Sequence, residues 1–147
     1  MPISSEDFRD VLRHFPSGVT VVTIKPYGSD IVHGLTVSAF ASISPVPPTA
    51  GTTFAVNILG QDLMEMSNRF AWLKDEDRFA EGDWGTAVTG APILNDALAW
   101  LDCTIYSRFA AGSHTIYVGE VQASGVPRAD SKPLVYWNRG YRRLVDK

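Results

Sequence analysis

The 147-residue sequence predicts a small, mostly antiparallel β-barrel with flanking helices. Three observations carry that expectation. Six segments rich in β-branched or alternating residues are joined by short, turn-rich connections. Only two segments have helical spacing. The strands do not alternate regularly with crossover helices, which disfavours a doubly wound parallel sheet. A chain of this length buries roughly two-thirds of its unfolded surface, so one core needs no metal or disulfide staple.

The first element is a short amphipathic helix. Ser4 or Ser5 can cap it, Glu6 and Asp7 suit its first turn, and Phe8, Val11, Leu12 and Phe15 form one stripe. Pro16-Ser17-Gly18 ends it, and Val19 to Ile24 reads as a strand. Lys25 to Asp30 supplies turn residues for a hairpin that returns through Gly34 to Ile43. That second strand alternates. Leu35, Val37, Ala39, Ala41 and Ile43 share one face, which suits a core, and Thr36, Ser38, Phe40, Ser42 and Ser44 share the other. Pro45, Pro47 and Pro48 stop it. Phe54 to Leu59 is a third strand, and Gln61 to Ala71 has helical spacing with Leu63, Met64 and Phe70 as packing candidates. Trp72 to Pro92 reads as loop. Ala97 to Ser107, Thr115 to Ala123 and Pro133 to Trp137 complete the strands. No repeat or linker divides the chain, so residues 1–147 are expected to form one domain.

Composition narrows the function. The net charge is −3 and the largest basic block is Arg142-Arg143, which provides no field for a phosphate backbone, so nucleic acid is disfavoured as a partner. The longest apolar runs are far shorter than a bilayer span and the N-terminus lacks the regions of a signal peptide. A single cysteine, Cys103, forbids an intrachain disulfide and fits a reducing cytoplasm; its apolar strand context favours a buried, inert thiol. No nucleotide-binding glycine motif, phosphate-loop lysine, zinc-helix pair or nucleophile elbow occurs, and the three histidines propose no metal site.

Four features remain, each with a plain alternative. The hydroxyl row Thr36, Ser38, Ser42, Ser44 is what an exposed strand face would carry anyway, although Phe40 within it invites a ligand ring or partner. Gly112-Ser113-His114 places an imidazole at a strand start, where it can titrate near neutral pH or simply be solvated. Tyr136-Trp137-Asn138-Arg139-Gly140-Tyr141 could clamp a planar anionic ligand, or pack its aromatics on the barrel. Asn68-Arg69-Phe70-Ala71 ends the second helix, where Arg69 suits the carbonyl end of the dipole.

The order of these pieces resembles the flavin reductase-like family of FMN-binding split β-barrels. The resemblance rests on Phe8 to Leu12, Phe15 to Thr23, His33 to Ser44, Phe54 to Leu59, Asn68 to Ala71, Gly112-Ser113-His114 and Pro133 to Tyr136, and so covers nearly the whole chain. It implies an antiparallel split barrel, a homodimer with flavin near the subunit interface, and reduction of FMN or FAD by NADH or NADPH. It further implies transient transfer of reduced flavin to a separate monooxygenase. By the same resemblance, Thr36, Val37, Ser38 and Ala39 line the isoalloxazine, with Ser42 on the same strand. Arg69 and Phe70 lie at the flavin edge. His114, as the catalytic residue, and Tyr136, Trp137, Arg139 and Gly140 face the nicotinamide. The flavin carries the redox chemistry, and the protein supplies stacking, donors and access.

One departure stands out. In the family the double proline leads into a further strand and a loop that holds the flavin phosphate. Here Pro47-Pro48 is followed by Thr49-Ala50-Gly51-Thr52-Thr53 and then Phe54, so a strand and a phosphate loop are missing between Pro48 and Phe54. Thr52 and Thr53 are the remaining candidate phosphate donors. Two alternatives follow: a flavin-binding module without reductase turnover and, with no feature favouring it, an oxidase of a substituted amine.

Overall fold

The computed structural model describes residues 3–38 and 52–147. Helix α1, Ser5–Leu12, begins where Ser4 accepts a hydrogen bond from the Asp7 amide and ends at Arg13. It buries none of its residues. After β1, Ser17–Gly18, strands β2 (Thr20–Lys25) and β3 (His33–Val37) form the expected hairpin, and β4 (Thr53–Ile58) pairs with the other side of β2. Helix α2 (Met64–Trp72) and the short α3 (Asp75–Arg78) follow, then the small ladder β5 (Trp84–Gly85) and β6 (Ile93–Leu94). The long hairpin of β7 (Ala99–Ala111) and β8 (His114–Gly125) completes a five-stranded sheet of order β3-β2-β4-β7-β8. Strands β9 (Val135–Trp137) and β10 (Gly140–Arg142) join β1 in a separate three-stranded sheet. Every pairing is antiparallel.

Register places two rows of side chains on one face of the large sheet. Thr36, Val21, Asn57 and Trp100 form one row, and Gly34, Thr23, Ala55 and Asp102 the next. Helix α2 and residues 86–94 cover this face. Three of its polar groups are wholly buried, and each is satisfied. Asn57 donates to the Val21 carbonyl at 3.2 Å and accepts from the Leu94 amide at 2.8 Å. Thr23 donates to the Pro92 carbonyl at 2.6 Å. The Asp102 carboxylate accepts from the Val88 and Thr89 amides, both at 2.8 Å, and from the Thr89 hydroxyl. Strands β2, β4 and β7 thus each tie the covering segment down by one buried polar side chain.

The main core joins Val19, Val21, Leu59, Phe70, Leu94, Ala97 and Leu134. Phe70 sits at its centre, edge-on to Phe79 at 5.1 Å and tilted against Trp84 at 5.5 Å. Its ring lies so close to β3 that a Cβ on Gly34 would be 2.5 Å from it. The glycine is therefore what lets α2 approach the sheet.

The expectation for β3 is reversed at its described residues. Alternation puts Leu35 on the core face, yet it is 44% exposed, while Gly34 and Thr36 face α2. Alternation identifies two faces but not which one a helix covers. Ala39, Phe40, Ala41, Ser42, Ile43 and Ser44 lie outside the described residues. The apolar stripe of α1 also differs from expectation, with Phe8, Val11, Leu12 and Phe15 all exposed within this one chain. No helix among the described residues is long and apolar enough to cross a membrane.

Candidate functional site

A cleft of about 330 Å3 opens where β3, α2 and the β9–β10 hairpin meet. Helix α2 presents Ser67 and Ala71, and beside them Asn68 and Trp72, each pair one turn apart on the helix. Strand β3 contributes Thr36, with Ser38 just beyond it, and the hairpin contributes Tyr136, Arg139, Gly140 and Tyr141. Val19 closes the floor.

A hydrogen-bond chain organises this wall. Thr36 donates its hydroxyl to the Ser67 carbonyl at 2.6 Å, fixing β3 to α2. Tyr141 donates to Asn68 Oδ1 at 3.1 Å, so its oxygen accepts from the buried Ser67 hydroxyl at 2.7 Å. The Asn68 amide nitrogen is then the donor left for a ligand. Tyr136 and Tyr141 pack edge to face at 5.5 Å, and Trp72 stands 83% exposed at the rim. Large aromatic faces beside a few polar groups suit a planar heteroaromatic ring.

The hairpin is held from below. Asn138 donates its amide to the Arg13 carbonyl at 2.8 Å, and Trp137 Nε1 donates to the His14 carbonyl at 3.0 Å. The end of α1 therefore sets the height of the turn that carries Arg139.

Of the residues singled out by sequence, Thr36, Ser38, Tyr136, Arg139 and Gly140 come together in the cleft. Asn68, Ala71 and Tyr141, from the segments singled out with them, also line it, whereas Val37, Thr52, Thr53, Arg69, Phe70, His114 and Trp137 do not. Val37 lies on the opposite face of β3 from Thr36. Trp137 packs against the end of α1, with the Arg142 guanidinium 5.6 Å from its ring centre. Arg69 pairs with Glu81 at 2.8 Å and donates to the Asp77 carbonyl at 2.7 Å, clasping α3. Phe70 belongs to the core, because the helix turns its apolar side to the sheet. Thr52 and Thr53 line a smaller recess of about 130 Å3 with Lys25, Tyr27 and Thr89. That recess is at the far end of β2 from Val19, roughly 20 Å away along the strand. His114 opens β8 at the tip of the long hairpin, exposed, with its Nδ1 3.1 Å from the Ser113 hydroxyl. Ala39 and Ser42 lie outside the described residues.

Sequence reasoning missed Ser67 and Trp72 as site residues, and named Tyr141 only within the C-terminal aromatic segment. The first two were legible in principle, as one strip of a helix containing Asn68 and Ala71. Tyr141 needed the hairpin register that sets it opposite Tyr136. Cys103 is buried, and burial, reinforced by the neighbouring Asp102 carboxylate, pushes its thiol up to about 11. It stays protonated at neutral pH and is no nucleophile. Among the described residues, no cluster of His, Cys, Asp or Glu could hold a metal ion.

The sequence profile of the flavin reductase-like domain family matches residues 49–145. The chain belongs to that family. One relative is the actinorhodin polyketide dimerase of Streptomyces coelicolor, 35% identical over 152 aligned positions, covering 92% of this chain and 84% of that protein. Another is HsaB of Mycobacterium tuberculosis, the reductase subunit of a flavin-dependent monooxygenase, 32% identical over 156 positions and covering 95% and 82%. The crystal structure of the flavin reductase HpaC complexed with NADP+ superposes with a TM-score of 0.85 at 32% identity, covering 96% of this chain and 98% of that one. The fold is accordingly an antiparallel split β-barrel. Both sequence alignments are longer than the 147-residue chain itself, so these relatives carry residues with no counterpart here.

Proposed function

We propose that this protein is an NAD(P)H-dependent flavin reductase that delivers reduced FMN or FAD to a separate monooxygenase. The observation that carries this reading is the cleft itself, in a chain whose flavin reductase-like relatives include a monooxygenase reductase subunit and a reductase solved with NADP+. Its volume, aromatic rim and few oriented polar groups fit an isoalloxazine ring. Bound flavin supplies the two-electron chemistry.

The residues of this chain then bind and position. Tyr136, Tyr141 and Trp72 offer ring surfaces, and Ser38 and Asn68 offer donors to the polar edge of the flavin. Thr36, through its bond to the Ser67 carbonyl, keeps the wall at a fixed distance. A wall held this way removes freedom from the two reactants before hydride transfer. His114 is assigned the contact with the nicotinamide. His114 is not among the residues that line its own chain's cleft.

We place the shortening between Pro48 and Phe54, consistent with a family match that begins at residue 49. The protein works as a homodimer in the cytoplasm. The exposed stripe of α1, with Leu35 and Val121 and with Phe109 and Ile116 near the hairpin tip, offers apolar side chains that a second copy of the chain would cover. Light scattering should return twice the 16.1 kDa chain mass, and a monomer would contradict the assignment.

The test of activity is direct. Purified protein should oxidise NADH or NADPH only when FMN or FAD is added, and no oxidation with any combination would sink the reading. The shortening favours a second reading, a flavin-binding module without turnover. Tight quenching of flavin fluorescence without NADH oxidation would select it.

A further inference from the structure

The β9–β10 connection is a two-residue turn, and both residues have left-handed backbones, with φ of 48° at Asn138 and 62° at Arg139. Turns of this kind suit antiparallel ribbons and favour Asn followed by Gly, because the second position penalises any side chain. Asn138 obeys the rule. Arg139 does not. The glycine comes one residue later, at Gly140, where a Cβ would run into the Arg142 guanidinium. A turn selected for stability alone would carry glycine at 139.

The side chain that imposes this cost lines the cleft and is its one charged residue among those described. It makes no hydrogen bond or ion pair with any described residue. Its neighbour Arg142 is committed to the Tyr141 carbonyl and the face of Trp137, and Arg69 to Glu81. Arg139 is thus an unpaired cation, carried on a rigidly anchored turn, at the edge of an otherwise neutral, aromatic cleft. Backbone strain retained beside a cleft points to a ligand contact.

We infer that Arg139 reads a phosphate ester of the nucleotide cofactor. The guanidinium fork matches phosphate oxygens in geometry and charge. This inference rests on the reading that the cleft takes such a cofactor. The phosphate belongs either to the flavin side chain or to the nicotinamide dinucleotide, and the experiment separates the two.

R139G and R139K are compared with wild type by thermal melting, by fluorescence titration with FMN and with riboflavin, and by the KM for NADH. R139G should melt no lower than wild type, since glycine accepts the backbone. If the phosphate is the flavin's, R139G loses about 10-fold in FMN affinity and none for riboflavin, and R139K recovers part of the loss. If it is the dinucleotide's, both titrations stay unchanged and the KM for NADH rises about 10-fold. Equal loss of FMN and riboflavin, no change in any reading, or a lower melting temperature for R139G would overturn the assignment. A wild-type protein that binds flavin without turnover would sink the reductase reading yet leave the FMN and riboflavin titrations interpretable.

Discussion

Replacing Tyr141 by Phe removes one oxygen from the centre of the cleft wall and leaves the ring where it is. The two partners of that oxygen respond differently. The Ser67 hydroxyl, 2.7 Å away, is wholly buried. Losing its acceptor is worth about 1–2 kcal/mol, which lowers the melting temperature by roughly 2–8 °C in a domain of this size. Asn68, at 3.1 Å, is only half-buried and can hydrate its free Oδ1. Its stability cost is small, but its amide loses the bond that orients it, so flavin affinity should fall a few-fold, about equally for FMN and riboflavin. Thermal melting and flavin fluorescence measure both effects. S67A/Y141F sharpens the test, because with Ser67 also gone no hydroxyl is orphaned. The double variant should then be clearly more stable than the sum of the single losses requires. Additive losses, or a Y141F protein with wild-type melting and wild-type flavin binding, would refute the proposed wall.

Other perturbations test the frame around the cleft. D102A strands the Val88 and Thr89 amides and should cost about 2–4 kcal/mol in urea unfolding, whereas wild-type stability would show that these bonds are dispensable. G34A forces a methyl group against the Phe70 ring and should destabilise by about 1–3 kcal/mol in the same assay; an unchanged midpoint would contradict the close approach of α2 to β3. The Cys103 thiol, raised by burial, should resist alkylation in the folded protein at neutral pH and react once the protein is unfolded in urea. Because the folded thiol keeps its proton longer than the unfolded one, stability should also decline as pH rises from about 9 toward 11, and C103A should remove that decline.

What the sequence could say depended on whether the signal was local. The β-branched run before Lys25 and the cap at Ser4 are local signals, and each appears as expected. Boundaries followed cooperative pairing instead. Strand β7 extends to Ala111 because β8 pairs with it throughout, beyond where composition alone would end it. Faces were less legible. Thr36 looks like an outward residue and Leu35 an inward one, until α2 is placed against Gly34. Phe70 and Arg69 adjoin Asn68 in sequence, yet a helix sends neighbours in different directions: Phe70 into the core, Arg69 to Glu81, Asn68 to the cleft. The cleft joins residues as far apart as Val19 and Tyr141, and only tertiary packing brings those together.

Flavin reduction in this cleft requires that the cleft stay open. Ala71 lines it on the exposed side of α2, so A71W should fill it without disturbing the core. The decisive measurement is flavin-dependent NADH or NADPH oxidation by wild type and A71W, with melting curves alongside. Wild type should turn over, and A71W should lose turnover at an unchanged melting temperature. No turnover by wild type, or full turnover by A71W, would contradict it.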